Sequence, residues 1–281
     1  MLNIRRATEA DTPAVLALVS RIWPDDYVPE AWPTWIANAH GIPLVAEHAG
    51  KIVGICHVSR LTADECWFNA MRVDPDRRRQ GIGTALTKAA IAAARAAGYR
   101  LALLGIDPDN TASLEMTARA GFSRAAEYSK LELTARPGQG GPPLRPAVPS
   151  EVPQLKAIAA ETARRDGVPA AVYWDWEWMG LSDEALNNLV ASGDCLVRAD
   201  GPLDAYLPVS CHDNGEIHAF NPYGPVAAVL DLVRGLLARA GERGARVEIF
   251  LPLGSPYREP LIGLGFAPVP SDGFTIWRME L

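Results

Sequence analysis

V-D-P-D-R-R-R-Q-G-I-G-T, residues 73–84, joins a strand-like run to an alanine-rich one. Pro75 ends the strand, Arg77, Arg78 and Arg79 concentrate positive charge, and Gly81 and Gly83 open the helix that follows. The first turn of a helix has unpaired backbone N–H groups and a partial positive charge, so it attracts anions. Glycines there remove the side chains that would hold a phosphate away. The stretch lacks the Lys-Ser or Lys-Thr ending of a nucleoside-triphosphate loop and the third glycine of a dinucleotide fingerprint. What remains is a cradle for a pyrophosphate.

Upstream, residues 65–73 read as a strand, and residues 43–47 and 51–60 as a hairpin around Ala49-Gly50. Residues 8–20 read as a helix, with Asp11 and Pro13 at its start. Downstream, residues 84–97 form a helix stopped by Gly98, residues 101–106 a strand, and residues 111–120 a helix stopped by Gly121. Strands before the loop and alternating strand and helix after it predict a mixed α/β sandwich.

Residues 136–146, R-P-G-Q-G-G-P-P-L-R-P, have no apolar period and read as a linker. The halves on either side, residues 1–135 and 147–281, echo each other. Ile4-Arg5-Arg6-Ala7 through Asp11 and Pro13 is matched by Leu144-Arg145-Pro146-Ala147 through Glu151 and Pro153. Gly98-Tyr99-Arg100 leading to Gly121-Phe122 is matched by Gly244-Ala245-Arg246 leading to Gly265-Phe266. Each half closes on a strand, residues 129–133 and 276–281. Three matches in one order indicate duplication of a whole domain. The second half has F-N-P-Y-G-P, residues 220–225, where the first has its cradle; two prolines remove backbone donors there. Trp174, Trp176 and Trp178 alternate with Asp175 and Glu177, which predicts a strand or packed edge.

A length of 281 residues suggests two domains. A net charge of -6 argues against a general nucleic-acid binder, so any basic site is local. Cys56, Cys66, Cys195 and Cys211 form no metal-ligand pattern with histidine and fit reduced thiols, so no metal is expected and the cytoplasm is the expected compartment. No apolar run approaches the length of about 18 residues that a membrane span needs.

The run from Asn69 to Phe122 resembles the GCN5-related N-acetyltransferase (GNAT) superfamily. Arg78 through Gly83 satisfies that family's loop of Gln or Arg, two residues, Gly, one residue, then Gly or Ala. Asn110 followed by Gly121-Phe122 matches its next motif. The resemblance implies two tandem acyl-CoA N-acyltransferase folds, each a mixed, mostly antiparallel sheet flanked by helices, the second degenerate. It implies acetyl-CoA as co-substrate, held by Arg78, Arg79, Gln80, Gly81, Gly83 and Thr84 at the pyrophosphate. Met71, Val73 and Asn110 would line the pantetheine arm, and the Met71 N–H would donate to the oxyanion of a tetrahedral intermediate.

The tyrosine that often acts as the family's acid, seven residues after the asparagine, is Thr117 here. Tyr128 is a substitute candidate, weighed against a structural tyrosine. Period 2 along residues 65–71 puts Glu65, Trp67, Asn69 and Met71 on one face, making Glu65 a candidate base through a water. His57 on the neighbouring strand is the other candidate, weighed against a structural histidine. Residues 23–41 fall where the family covers its acceptor, and Asp26-Tyr27-Val28-Pro29 with Trp35 is similar to the histidine N-acetyltransferase group. Tyr27 and Trp35 are thus candidate substrate contacts. The expected reaction is acetyl transfer from acetyl-CoA to the primary amine of a small molecule, an amino acid among the options; a non-catalytic acyl-CoA sensor is the alternative. A homodimer is one open assembly state.

Overall fold

The computed structural model describes residues 1–167, 170–174, 176–212 and 214–281, with backbone alone at residues 174 and 270–272. The chain divides into two compact units. The first comprises Met1–Ile106, Asn110–Ser123 and Trp277–Leu281; the second comprises Asp107–Asp109 and Arg124–Ile276. Residues 124–135, grouped with the first half by sequence, therefore lie in the second unit, and residues 277–281 lie in the first.

In the first unit, β1 (Leu2–Arg6) leads through a short 3-10 turn into α1 (Thr12–Ser20) and α2 (Val28–Ala37). Next come β2 (Ile42–His48), β3 (Lys51–Arg60), β4 (Glu65–Val73), α3 (Ile82–Ala96), β5 (Leu101–Ile106) and α4 (Thr111–Arg119). The sheet order is β1-β2-β3-β4-β5, antiparallel except for the parallel β4–β5 pair. The chain's last strand lies beside β5, where the Leu281 N–H donates to the Arg100 carbonyl at 2.8 Å. One face of this sheet packs on α3. Ile82, Leu86, Ala90 and Ala94 repeat every four residues and so share one helical stripe, which is buried. Burial of a side chain such as Leu86, fully covered here, contributes about 1.5–3 kcal/mol. The other face packs on α1 and α2 through Val15, Val19, Val28 and Trp32 against Val45, Ile55 and Ala70.

The second unit contains β6 (Ser123–Thr134) from residue 124 onward, β7 (Leu144–Pro146), α5 (Val152–Asp166), β8 (Ala171–Trp174), β9 (Glu177–Gly180) and α6 (Asp183–Ala191). It continues with β10 (Cys195–Arg198), β11 (Leu207–Cys211), β12 (Ile217–Phe220), α7 (Val226–Gly241), β13 (Arg246–Pro252), α8 (Arg258–Gly263) and β14 (Ala267–Glu280) as far as residue 276. Its sheet order is β7-β10-β11-β12-β13-β6-β14, with β12–β13 parallel. The position after β13 is filled by β6, from early in the chain; the position after β5 is filled by the end of β14. β8 and β9 pair as the strand expected of the tryptophan run, while Asp175 lies outside the described residues. Residues 144–146 of the expected linker are strand β7, because Leu144, Arg145 and Pro146 pair with Arg198, Val197 and Leu196.

The echo seen in the sequence is one physical device used twice. Arg5 grips Asp11 through two hydrogen bonds of 2.7 and 2.8 Å, and Asp11 also accepts from the Thr8 N–H. Arg145 grips Glu151 at 2.6 and 2.9 Å, and Glu151 accepts from the Val148 N–H. The hydrogen bond from each arginine lowers the pKa of its carboxyl, that of Asp11 to well below the usual carboxylate range. A depressed carboxylate pKa adds stability that is complete above the unfolded value and lost as pH falls through the folded one. Asp11→Asn should therefore lower the Tm at pH 7, with the gap to the parent closing as the pH falls from about 5 to 2. A gap that stays constant on acid titration in thermal melts would refute this.

Candidate active site

Antiparallel β3 and β4 do not pair evenly. His57 faces Asn69 and Ile55 faces Arg72, so Ala70 and Met71 share the space opposite Cys56. This is a β-bulge, and Ala70 takes the left-handed φ of 51° that it requires. Its consequence is a change of face. Ala70 packs with the α1–α2 side of the sheet, whereas Met71 and Val73 pack toward the α3 side. The single face expected for Glu65, Trp67, Asn69 and Met71 is thereby broken between Asn69 and Met71.

β4 pairs with β5 only where Glu65, Cys66 and Trp67 meet Leu101, Ala102 and Leu103. Among the described residues the rest of that β4 edge, from Phe68 to Val73, has no strand partner, so its backbone groups are open for an extended ligand. Glu65 stands at the closed end of this pair. At roughly 3.3 Å per residue it lies on the order of 15–20 Å along the strand from Met71, beyond the reach of a base acting through one water. Glu65 is therefore not part of this site.

The loop after β4 meets the requirements of an anion cradle. Asp74 accepts from the Asp76 N–H and starts a short turn, and Arg79 and Gly81 take left-handed φ values of 61° and 79° before α3 begins. Among the described residues nothing partners the backbone amides of residues 79–84. Asp74 and Asp76 are held by Arg21, at 3.4 and 2.8 Å, and no carboxylate pairs with Arg77, Arg78 or Arg79 among the described residues. The loop thus keeps its positive charge. Space is tight at Gly83 for a second reason: a Cβ there would sit 3.0 Å from the Met116 sulfur. Arg77 and Gln80 line a cleft of about 160 Å³ together with Leu2, His48 and Ile82. Asn110 caps α4, its Oδ1 accepting from the Ser113 N–H at 3.2 Å, which leaves its Nδ2 as the available donor.

Tyr27 and Trp35 meet edge to face at 6.0 Å on the α1–α2 side of the bulge. Trp35 stacks on His57 with centroids 4.3 Å apart. His57 Nδ1 meets Asn69 Oδ1 at 3.1 Å, and Asn69 Nδ2 donates to Ser59 Oγ at 3.1 Å, an orientation that assigns the imidazole proton to Nδ1. Nε2 is then a lone pair turned toward Gly41, where a Cβ would lie 2.8 Å away. Burial lowers the His57 pKa to about 4. Taking a proton from an alkylammonium of pKa about 10 would then be uphill by roughly 8 kcal/mol. His57 supports Trp35, and its buried, weakly basic imidazole is poorly suited to act as base. Thr117 is buried on α4, and a threonine hydroxyl is too weak an acid for the family role. Tyr128 belongs to the second unit, where its hydroxyl accepts from Trp178 Nε1 at 3.0 Å and its ring stacks on Phe274. Burial pushes its pKa up, as for a structural tyrosine.

Among the described residues the cradle has no counterpart in the second unit. β12 pairs with β13 along its whole length, and the Asn221 N–H extends the pairing to the Phe250 carbonyl at 2.9 Å. The Tyr223 N–H donates to the Tyr206 carbonyl, and the Gly224 N–H to Thr162 Oγ. With prolines at 222 and 225, every amide from 221 to 225 is spent or missing.

Residues 8–122 match the Acetyltransferase (GNAT) family. A mycothiol acetyltransferase of Clavibacter sepedonicus is 30% identical over 102 residues, 36% of this chain and 32% of the relative, so the match spans about a third of that protein's length. A GCN5-related N-acetyltransferase from Sphaerobacter thermophilus superposes with a TM-score of 0.67 at 16% identity, covering 99% of this chain and 95% of the other. A tandem GNAT protein from the clavulanic acid biosynthesis pathway does so with a TM-score of 0.62 at 16% identity, covering 100% and 98%. Likeness along the full length extends the same fold to the second half. The open β4 edge, the bulge and the arginine-glycine loop thus lie within the stretch, residues 8–122, that matches the acetyltransferase (GNAT) family, and along its full length the chain is similar in fold to a tandem GNAT protein.

Proposed function

We propose that the first unit transfers an acetyl group from acetyl-CoA to the primary amine of a small molecule, with an amino acid among the acceptors to be tried. The observation that carries this is the pairing of an open β4 edge with a loop of unpartnered amides at the start of α3. When bound, acetyl-CoA supplies an activated thioester carbonyl. Arg78, Arg79, Gly81, Gly83 and Thr84 would hold its pyrophosphate, and Met71, Val73 and Asn110 its pantetheine arm. The Met71 N–H would donate to the carbonyl oxygen as it gains charge. Tyr27 and Trp35 would border the acceptor. Glu65 and His57 being unsuited, the amine would reach the site after giving its proton to solvent, so the rate should rise with pH toward the amine's own pKa. The second unit would keep its shape without a cofactor. A cytoplasmic location fits, since among the described residues no helix is long and apolar enough to cross a membrane.

A non-catalytic acyl-CoA sensor is favoured by one observation, Thr117 at the family's acid position. Thiol release from acetyl-CoA, followed across a panel of amines and amino acids, separates the two. Acceptor-dependent release at least tenfold above the blank is expected, whereas cofactor binding without release across the panel would support the sensor.

A further inference from the structure

Residues 23–28 are fastened to the bulge. The Asp26 carboxylate, fully buried, accepts from Arg72 Nε at 2.6 Å and from Arg72 Nη2 at 3.1 Å. The same carboxylate accepts from the Val28 N–H at 3.1 Å, which sets the start of α2. The Arg72 guanidinium lies 5.8 Å from the centre of the Trp23 ring and 5.6 Å from that of Tyr27. Tyr27 is thus held between Arg72 and Trp35. Its hydroxyl lies beside the backbone of Ala70, the bulge residue next to Met71.

An N–H beside the Tyr27 hydroxyl can only donate to it, so the hydroxyl's own proton is free to be donated elsewhere. The ring is half exposed, on the face where Asn69 and Ala70 look toward the acceptor helices. Burial of the hydroxyl outweighs the nearby Arg72 charge and raises its pKa, so the proton stays in place at neutral pH.

We infer that Tyr27 is a catalytic residue whose O–H donates a second hydrogen bond, beside that of the Met71 N–H, to the reacting carbonyl oxygen, with the Asp26–Arg72 pair as its positioning device. This rests on the acetyl-transfer reading above. As the amine nitrogen bonds to the carbonyl carbon, the C=O π pair moves to oxygen, where both donors face it. On collapse the C=O re-forms, the C–S pair leaves on sulfur, the positively charged nitrogen gives a proton to solvent, and the thiolate takes one from solvent. No proton leaves Tyr27.

Tyr27→Phe keeps the ring and removes only the donor. Loss of one such donor lowers kcat by about 100-fold, with the KM values of acetyl-CoA and acceptor each within about threefold of the parent. A second readout needs no acceptor. The infrared carbonyl band of bound, carbonyl-labelled acetyl-CoA should move to higher wavenumber in Tyr27→Phe. Asp26→Asn, which retains the hydroxyl but loosens its support, should move it part of the way. An unchanged band in Tyr27→Phe overturns the assignment, as does a loss confined to the acceptor's KM. If the parent chain does not bind acetyl-CoA in calorimetry, the acetyl-transfer reading fails and this inference with it; binding with an unchanged band fails this inference alone.

Discussion

Calorimetric titration of the intact chain with coenzyme A should give one site, and Gly81→Val/Gly83→Val should weaken it at least about 100-fold, close to 2.8 kcal/mol. In the first unit the amides of residues 79–84 are unpartnered, and the neighbouring acids are held by Arg21. A valine at 83 would press on the Met116 sulfur, and one at 81 would face a left-handed φ of 79°. Both would also hold a phosphate off the helix start. Among the described residues the second unit offers no equivalent at the corresponding loop, since Asn221, Tyr223 and Gly224 have spent their amides within the fold. Two equivalent sites per chain, or an affinity within threefold of the parent in a variant that melts normally, would defeat the assignment of the cradle.

The largest change in stability is expected in the second unit, at Glu248→Leu. Lys130 and Glu248 are 6% and 3% exposed, and Nζ lies 3.0 Å from Oε1. Arg246 also donates to Glu248, and His218 Nε2 lies 3.3 Å from its other oxygen, with burial holding the His218 pKa down to about 4. Arg246 is partly exposed and can turn to water when Glu248 is lost, whereas Lys130 is buried. Removing one member of such a buried pair costs about 3–5 kcal/mol, because the other charge stays desolvated. For a chain this size that is a Tm lower by about 10 °C. Lys130→Met/Glu248→Leu should recover most of it. A double variant as unstable as Glu248→Leu alone would show that the loss lies elsewhere in the packing.

The helix stops at Gly98 and Gly121, the hairpin around Ala49-Gly50 and the glycine-opened start of α3 after Arg78 were legible in the sequence because each depends on local chemistry. The repeated arginine–carboxylate grip was legible as an echo of residue types, though its purpose appears only in the bidentate geometry. Three features were hidden. The bulge at Ala70 leaves no mark, since alanine is not a residue that announces a left-handed φ, and simple alternation therefore carried Met71 to the wrong face. Glu65 sits on the right strand, but only the β4–β5 register reveals that it stands at the closed end. Tyr128 and residues 277–281 are placed by pairing between segments far apart in the chain, which no local pattern encodes.

The first unit's sheet takes its last strand from residues 277–281, with Trp277, Met279 and Leu281 joining the core that includes Ile82, Leu86 and Phe122. On the ribosome those residues emerge only after the whole second unit, on the order of ten seconds later than Phe122 at ordinary elongation rates. The unit that begins synthesis first is therefore completed last. Until then β5 presents an unpaired edge to the nascent-chain environment, where a chaperone or a neighbouring chain could bind it.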